Sequence, residues 1–452
     1  MKKYRILLVL FSIVLIFMTG CAGSGSGASS SDGKVTITFM NWAGGGEKAS
    51  LERAVEAFNK THSDIYVKQE FVTGDYDTKI NSLLAAGDPP DVAYVYEYNT
   101  MAWGEKGILE DLQPYFEKSK DVSMDDFIPG VLFNNKGKTW GAGIGPETMV
   151  LFYNKELFKD AGMAPPSADP HHPWTWDQFV NAAKKLTVDV NGKHPSDAAF
   201  NADRIKTYGA MIPIGFNTLD PLLRSNDGGY VSSDGKTIEL NSPDSLEVLQ
   251  KVADLSFKDH VAPIPKKAST LPDAPIMVQN KQLGMYISGN YDNATFGENG
   301  YQPGYAAIPM FKKPSNIAWA AGFSMFQGSK HKKAAWEFME YMLNPKNIKS
   351  MYSDSVWIPT KKSWYTDKEK LKLWTGNSRH SGNYNKVVLP TMLDNIAQLP
   401  DTVTIKNFND MQKYFDDATG KLFDGNGKTS AEKAIKTLDT DKIKQLLDGA
   451  YK

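Results

Sequence analysis

The sequence predicts an α/β protein with a parallel sheet, and three runs near its start carry that prediction. Residues 35–40 (VTITFM) are β-branched and apolar, the pattern of a buried strand, and 65–71 (IYVKQEF) and 91–96 (DVAYVY) read as a second and third strand. Between them the apolar residues change to a helical period. Leu51, Val55 and Phe58 share one face of a helix over about 47–60, and Tyr76, Ile80, Leu83 and Leu84 mark a second helix. Gly87 and Pro89-Pro90 stop that second helix. Strand, helix, strand, helix, strand on short links requires right-handed crossovers and therefore parallel pairing.

The later elements follow from local signals. The chain is less regular after residue 96 until 149–153 (MVLFY), a strand leading into a helix from Lys155. Thr175 and Gln178 form a capping box for a helix through Leu186. Ser242-Pro243 opens the helix holding Leu246, Leu249 and Val252, with the proline in the first turn, where its missing N–H has no helical partner to lose. Residues 283–287 and 305–308 read as strands, and Ala335, Phe338 and Met342 stripe a helix ahead of Asn344-Pro345. A second capping box, Thr429 to Glu432, opens a helical tail through Ile435, Leu438, Ile443 and Leu446.

Composition narrows the function. A net charge of −1 over 452 residues argues against a nucleic-acid partner. Arginine occurs only at 5, 53, 204, 224 and 379, so the usual fork for carboxylate and phosphate is scarce and uncharged ligands are favoured. Ten tryptophans leave aromatic faces to spare for a binding cleft. Gly137-Lys138-Thr139 and Gly427-Lys428-Thr429 mimic the end of a phosphate loop, but Leu132 and Leu422 occupy the place of its first glycine. His171 and His172 adjoin in a Pro-rich loop, where neighbours rarely face one metal, and Asp424-Gly425-Asn426-Gly427 lacks the later ligands of a calcium loop. No cofactor and no metal are expected.

The first thirty-three residues bear on location. Lys2, Lys3 and Arg5 precede an apolar run over 6–17, then Met18-Thr19-Gly20-Cys21. This is an export signal, too short for a permanent span. Cys21 is the only cysteine, so it forms no internal disulfide. The Met-Thr-Gly-Cys run resembles the lipobox of bacterial lipoproteins, with Met18 in place of the usual Leu. It implies cleavage after residue 20 and a lipidated, palmitate-bearing Cys21. Residues 22–33 (AGSGSGASSSDG) then form a flexible tether.

Taken in series, the landmarks resemble the extracellular solute-binding proteins of bacterial carbohydrate ABC transporters, the group that includes maltose-binding protein. They are the opening strand with Asn41-Trp42, the run 86–92 (AGDPPDV), Glu147 with Tyr153-Asn154-Lys155, Ala161-Gly162, Pro165-Pro166, Trp174-Thr175-Trp176, Gly284-Met285 with Gly289 and Tyr291, Ala321-Gly322, and Ala334-Ala335 with Phe338 and Tyr341. The resemblance covers nearly all of the chain after the signal. It implies a two-lobed periplasmic-binding-protein-like fold (type II), each lobe a mixed sheet flanked by helices, with the ligand cleft at the hinge. Lobe 1 would hold 34–144 and 309–353, and lobe 2 would hold 145–308 and 354–452.

The same resemblance implies a cleft at the carboxyl ends of the strands. Asn41 and Trp42 follow the first strand, with core packing as the competing role for Trp42. Asp75 and Tyr76 start the second helix and either face the cleft or cap the helix. Tyr96, Glu97, Tyr98 and Asn99 follow the third strand. Glu147 resembles a sugar-hydroxyl acceptor, against a hinge salt bridge. Asn217, Thr218 and Arg224 come from the second lobe, Tyr291 would be an aromatic platform, and Trp319, Gly322, Ser324, Trp357 and Arg379 complete the set. An Arg224 or Arg379 facing the cleft would point to uronates, and both facing outward would point to neutral saccharides.

The function implied is capture of a carbohydrate, an oligosaccharide above all, and its delivery to an ABC permease with a cytoplasmic ATPase. The protein would be a monomer held to the outer face of the membrane by its lipid, with no enzyme activity and no nucleic-acid partner. An extracellular glycosidase or lyase is the rival from another class, and a receptor for a non-sugar solute is the other alternative.

Overall fold

In a computed structural model, residues 33–376, 383–394, 396–423 and 427–451 are described. The strands are β1 (Val35–Asn41), β2 (Ile65–Phe71), β3 (Val92–Val95), β4 (Leu132–Asn135), β5 (Lys138–Tyr153), β6 (Val188–Asp189), β7 (Ile205–Met211), β8 (Leu283–Gly289), β9 (Gly304–Ala306), β10 (Asn316–Met325) and β11 (Ala397–Gln398). The first three helices are α1 (Gly45–Thr61), α2 (Tyr76–Ala85) and α3 (Glu97–Glu105).

The strand order is β2-β1-β3-β10-β5-β8-β7-β6. As the opening pattern predicts, β1 lies between β2 and β3 and is parallel to both. Strand β10 then runs antiparallel to β3 and β5, and β5 antiparallel to β8. Each half is thus a mixed sheet with helices packed on it, the type II binding-protein architecture.

Two strands cross from one half to the other. β5 pairs with β4 and β10 over its first part, and with β8 and β9 over its last. Between Trp319 and Ala321 the β5–β10 register slips: Trp319 faces Glu147, while Ala321 faces Ile144. The slip accommodates Gly145-Pro146. Gly145 has φ +56°, a left-handed conformation that favours glycine. The sequence gives no warning that β5 begins at Lys138, because glycines at 141, 143 and 145 hide the strand pattern. Those glycines admit close neighbours. A Cβ on Gly141 would lie 2.7 Å from the Ser324 hydroxyl, and one on Gly143 2.8 Å from Ala320.

The core of the first half is aromatic. Phe39 meets Tyr94 and Phe323 edge to face at 5.2 and 5.5 Å, and Phe338 packs beside them. In the second half Trp176, Phe179, Phe216, Tyr230, Phe408 and Phe415 belong to a separate buried cluster. The Thr175–Gln178 capping box forms as expected. The second expected box does not. Ser430, not Thr429, caps the helix Ala431–Ile435, accepting from Lys433 N–H, and the tail breaks before a second helix, Thr440–Leu446. One residue of shift suffices, because Thr429-Ser430 offers two hydroxyls and only one can occupy the cap.

Beyond residue 353 the chain keeps contact with the first half. Asp354 binds Arg53, the Trp357 indole donates to Glu47 at 3.0 Å, and Lys361 lies over the Phe127 ring. A later strap over 397–404 touches both halves. β11 pairs with β10, Leu399 abuts Gly130, and Val403 is buried with Trp103 and Trp140.

Candidate functional site

Where the halves meet, at the carboxyl ends of β1 and β3, lies a cavity of about 160 Å³. Trp42, Glu47, Tyr94, Tyr96, Glu97, Ile144, Gly145, Glu147, Trp319, Ala321 and Trp357 line it. Each comes from a place that its sequence explains. β1 ends at Asn41, whose side-chain oxygen accepts from Ala43 N–H at 3.1 Å and turns the chain so that Trp42 projects. The Gly44-Gly45-Gly46 turn lets α1 start at once, which puts Glu47 in its first turn. Tyr96 follows β3 as the N-cap residue of α3, and Glu97 opens that helix. The Gly145-Pro146 slip delivers Glu147 opposite Trp319.

The rings are held rigidly. Trp42 stacks on Tyr96 at 4.3 Å and 7° between planes, and Tyr96 stacks on Tyr98 at 5.1 Å. Tyr76 and Tyr94 meet Trp42 edge-on at 5.0 and 5.2 Å. Below the stack, Asp77 accepts from the Tyr98 hydroxyl at 2.8 Å.

The electrostatics are one-sided. Burial pushes Glu147 up to about 8, the negative Glu47 and Glu97 add to the rise, and a hydrogen bond from Trp319 opposes it. Burial likewise raises Glu97 to about 7, opposed by its own backbone N–H and aided by Asp77. Glu47 is raised by burial and partly held down by the Trp357 indole. Among the described residues no Lys, Arg or His lines the cavity. Near neutral pH such carboxyls offer both acceptors and donors to hydroxyl groups, and the rings offer faces to an apolar C–H surface.

Of the residues expected from sequence, Trp42, Tyr96, Glu97, Glu147, Trp319 and Trp357 meet at this cavity. Tyr291 stands beside it, 45% exposed, its ring over Gly289 and close enough to Glu147 to feel its charge. Asn290 ties the two together, since its side chain accepts from Thr148 N–H at 2.7 Å.

The others are used elsewhere. Asn41 is fully buried and serves the turn. Asp75 caps α2, accepting from Thr78 N–H. Tyr76 is buried and donates to the Tyr94 carbonyl at 2.8 Å. Tyr98 and Asn99 bind Asp77 rather than face the cavity. Thr218 bonds the carbonyls of Pro213 and Gly215, at the start of the helix Phe216–Ser225 that also carries Asn217. Gly322 lets α3 approach β10, since a Cβ there would strike Thr100. Ser324 is fully buried within the sheet. Arg224 is occupied by Asp220 at 2.9 Å and Asp401 at 2.6 Å and does not line the cavity. Arg379 and Cys21 lie outside the described residues.

Glu47, Tyr94, Ile144, Gly145 and Ala321 are the lining residues that sequence reasoning missed. For Glu47 a signal existed. A carboxylate in the first turn of the helix after β1 stands at the carboxyl edge of the sheet, where open α/β folds bind ligands. Among the described residues no cluster of His, Cys, Asp or Glu could hold a metal ion.

Comparison with known proteins bears on this geometry. Residues 42–349 match the family described as bacterial extracellular solute-binding protein. The arabinooligosaccharide-binding protein of Bacillus subtilis is 28% identical over 272 residues, 59% of this chain and 57% of its own length. The maltooligosaccharide ABC transporter solute-binding lipoprotein of Streptococcus pneumoniae is 24% identical over 424 residues, 88% of this chain and 87% of its own. Among solved structures, the ABC substrate-binding protein Lmo0181 from Listeria monocytogenes, in complex with cycloalternan, superposes with a TM-score of 0.78. It is 25% identical, over 91% of this chain and 98% of that one.

Proposed function

The chain belongs to the bacterial extracellular solute-binding proteins, and from that premise we propose that it captures an oligosaccharide outside the cell for an ABC importer. The observation that carries this reading is the cavity between the halves, walled by Trp42, Tyr96, Trp319 and Trp357 and provided with hydrogen-bonding carboxyls at Glu47, Glu97 and Glu147. A sugar ring has an apolar face and a polar rim, and this wall matches both. Ligand touching both halves favours their closed arrangement through contacts that the open one lacks. The sugar then passes unchanged to a permease. Anchorage at the outer face of the membrane would come from a lipid on Cys21, and the Ser/Gly tether over 22–33 would give the binding unit reach. Arg224 is spent on Asp220 and Asp401, so it does not supply the fork that a uronate would need.

The test is calorimetry and thermal unfolding with arabino-, malto- and galacto-oligosaccharides. A ligand that binds only the folded protein raises its melting temperature. Absence of both heat and shift across that panel would refute the proposal.

A further inference from the structure

Resting on the receptor reading above, we infer that the cavity sorts saccharides by charge, taking one that bears an amine in preference to its neutral parent and refusing a uronate. The argument is geometric. Glu47 from α1, Glu97 from α3 and Glu147 from β5 approach the same space from three elements. Asp77 stands behind Glu97 and Asp292 behind Glu147, adding charge of the same sign. Among the described residues, Arg53 is engaged by Asp354, Arg224 by Asp220 and Asp401, and Lys48 lies over the Phe71 ring.

Two lining groups await a partner. Glu97, 9% exposed, has no side-chain partner among the described residues beyond its own backbone N–H. The Tyr94 hydroxyl is buried without a hydrogen bond. The other component is aromatic: Trp42, Tyr94, Tyr96, Trp319 and Trp357 surround the same space. Ring faces attract cations, more strongly where water is excluded. The carboxyls surround a space of about 160 Å³ and form no metal-holding cluster. That is room for an ammonium on a sugar ring and not a seat for a bare ion. An ammonium there neutralises charge that burial and mutual repulsion otherwise oppose, and it draws the carboxyls to their ionised forms. A uronate would bring a further negative charge into a site already opposed to it.

The experiment uses the folded chain and isothermal calorimetry near pH 7. On maltotriose and arabinotriose backbones, three probes are compared: the neutral sugar, its terminal amino-deoxy derivative and its terminal uronic acid. The amino form is expected to bind about ten-fold tighter than the neutral sugar on the backbone that binds, and the uronate to show no heat. Binding of the amino form should release protons, read as a dependence of the heat on buffer ionisation enthalpy. Glu97→Gln and, separately, Glu147→Gln should shrink the amino preference while each keeps a cooperative melt. Equal or weaker binding of the amino form, or uronate binding comparable to neutral, overturns the inference and leaves the receptor reading standing. Silence from all probes together with the wider neutral panel overturns both.

Discussion

Trp319 and Glu147 face each other across the β5–β10 register, and the indole N–H donates to the carboxyl. That contact sits at the point where both strands pass from one half of the protein to the other. It orients the acceptor at the centre of the cavity and braces a wall ring in the same stroke. Replacing Glu147 by Ala removes the acceptor and leaves the indole N–H unpaired. Ligand affinity should fall by about 1–3 kcal/mol, the range for losing one partner of a buried hydrogen bond. Calorimetry with the strongest oligosaccharide ligand measures it, and an unchanged Kd would place the sugar elsewhere.

The raised carboxyls make stability depend on pH. Folded Glu147 titrates at about 8 and Glu97 at about 7, both lifted from 4.5 chiefly by burial. Between about 4.5 and 8 the folded chain therefore holds more protons than the unfolded one, and stability falls as pH rises through that window. These groups should make the ligand-free melting temperature higher near pH 5.5 than near pH 8. Glu147→Gln should flatten the profile, because an amide has no proton to lose. A profile equally steep in that variant would contradict the assignment.

Trp42 offers a platform already backed by Tyr96 at 4.3 Å. Trp42→Ala should weaken sugar binding by roughly ten-fold or more and cost about 3 kcal/mol of stability, since the ring is also packed by Tyr76 and Tyr94. Trp42→Phe should recover most of the stability and part of the affinity. Urea titration and calorimetry separate the two effects.

Gly145→Ala tests the register slip. The position has φ +56°, and an added Cβ would lie 2.8 Å from the Trp357 ring. Strain and clash together should cost about 2–4 kcal/mol and displace Trp357 from Glu47. Urea unfolding reads the first effect and tryptophan fluorescence the second. A neutral substitution would show that the strand does not bend there.

Arg224 should behave as a structural residue. It holds Asp220, which is fully buried, and Asp401 on the strap between the halves. Arg224→Met should destabilise the protein by about 3–5 kcal/mol, because two buried carboxyls lose their cation. The residual affinity of folded protein for neutral sugar should stay within about two-fold. A selective loss of sugar binding without loss of stability would return Arg224 to the ligand.

Much of the architecture was legible in short windows. The runs 35–40, 65–71 and 91–96 fall on β1, β2 and β3, because a buried strand writes its apolar pattern into adjacent residues. The capping box at Thr175 and the Ser242-Pro243 start were also visible, being contacts within four residues. β5 was half hidden. Its residues at 141, 142, 143 and 145 are Gly or Ala, and the glycines at 141 and 143 suit what lies across the sheet rather than strand propensity. Six lining residues were named from the sequence because they follow strands or resemble family landmarks. Gly322, Ser324 and Arg224 show the limit of that reasoning, since adjacency to a cleft-lining residue does not fix which way a side chain points.

The sequence by itself determined the alternation of strands and helices, the basic-then-apolar start, the aromatic wealth and the scarcity of arginine, all properties of single residues or near neighbours. Tertiary structure alone decided that Glu47, Glu97 and Glu147 face one space, that Trp42 is backed by Tyr96, and that Arg224 is consumed by Asp401. Those facts join residues fifty to nearly two hundred positions apart. Burial, pairing and charge repulsion depend on distance through space, and only the folded sheet with its crossing strands sets that distance.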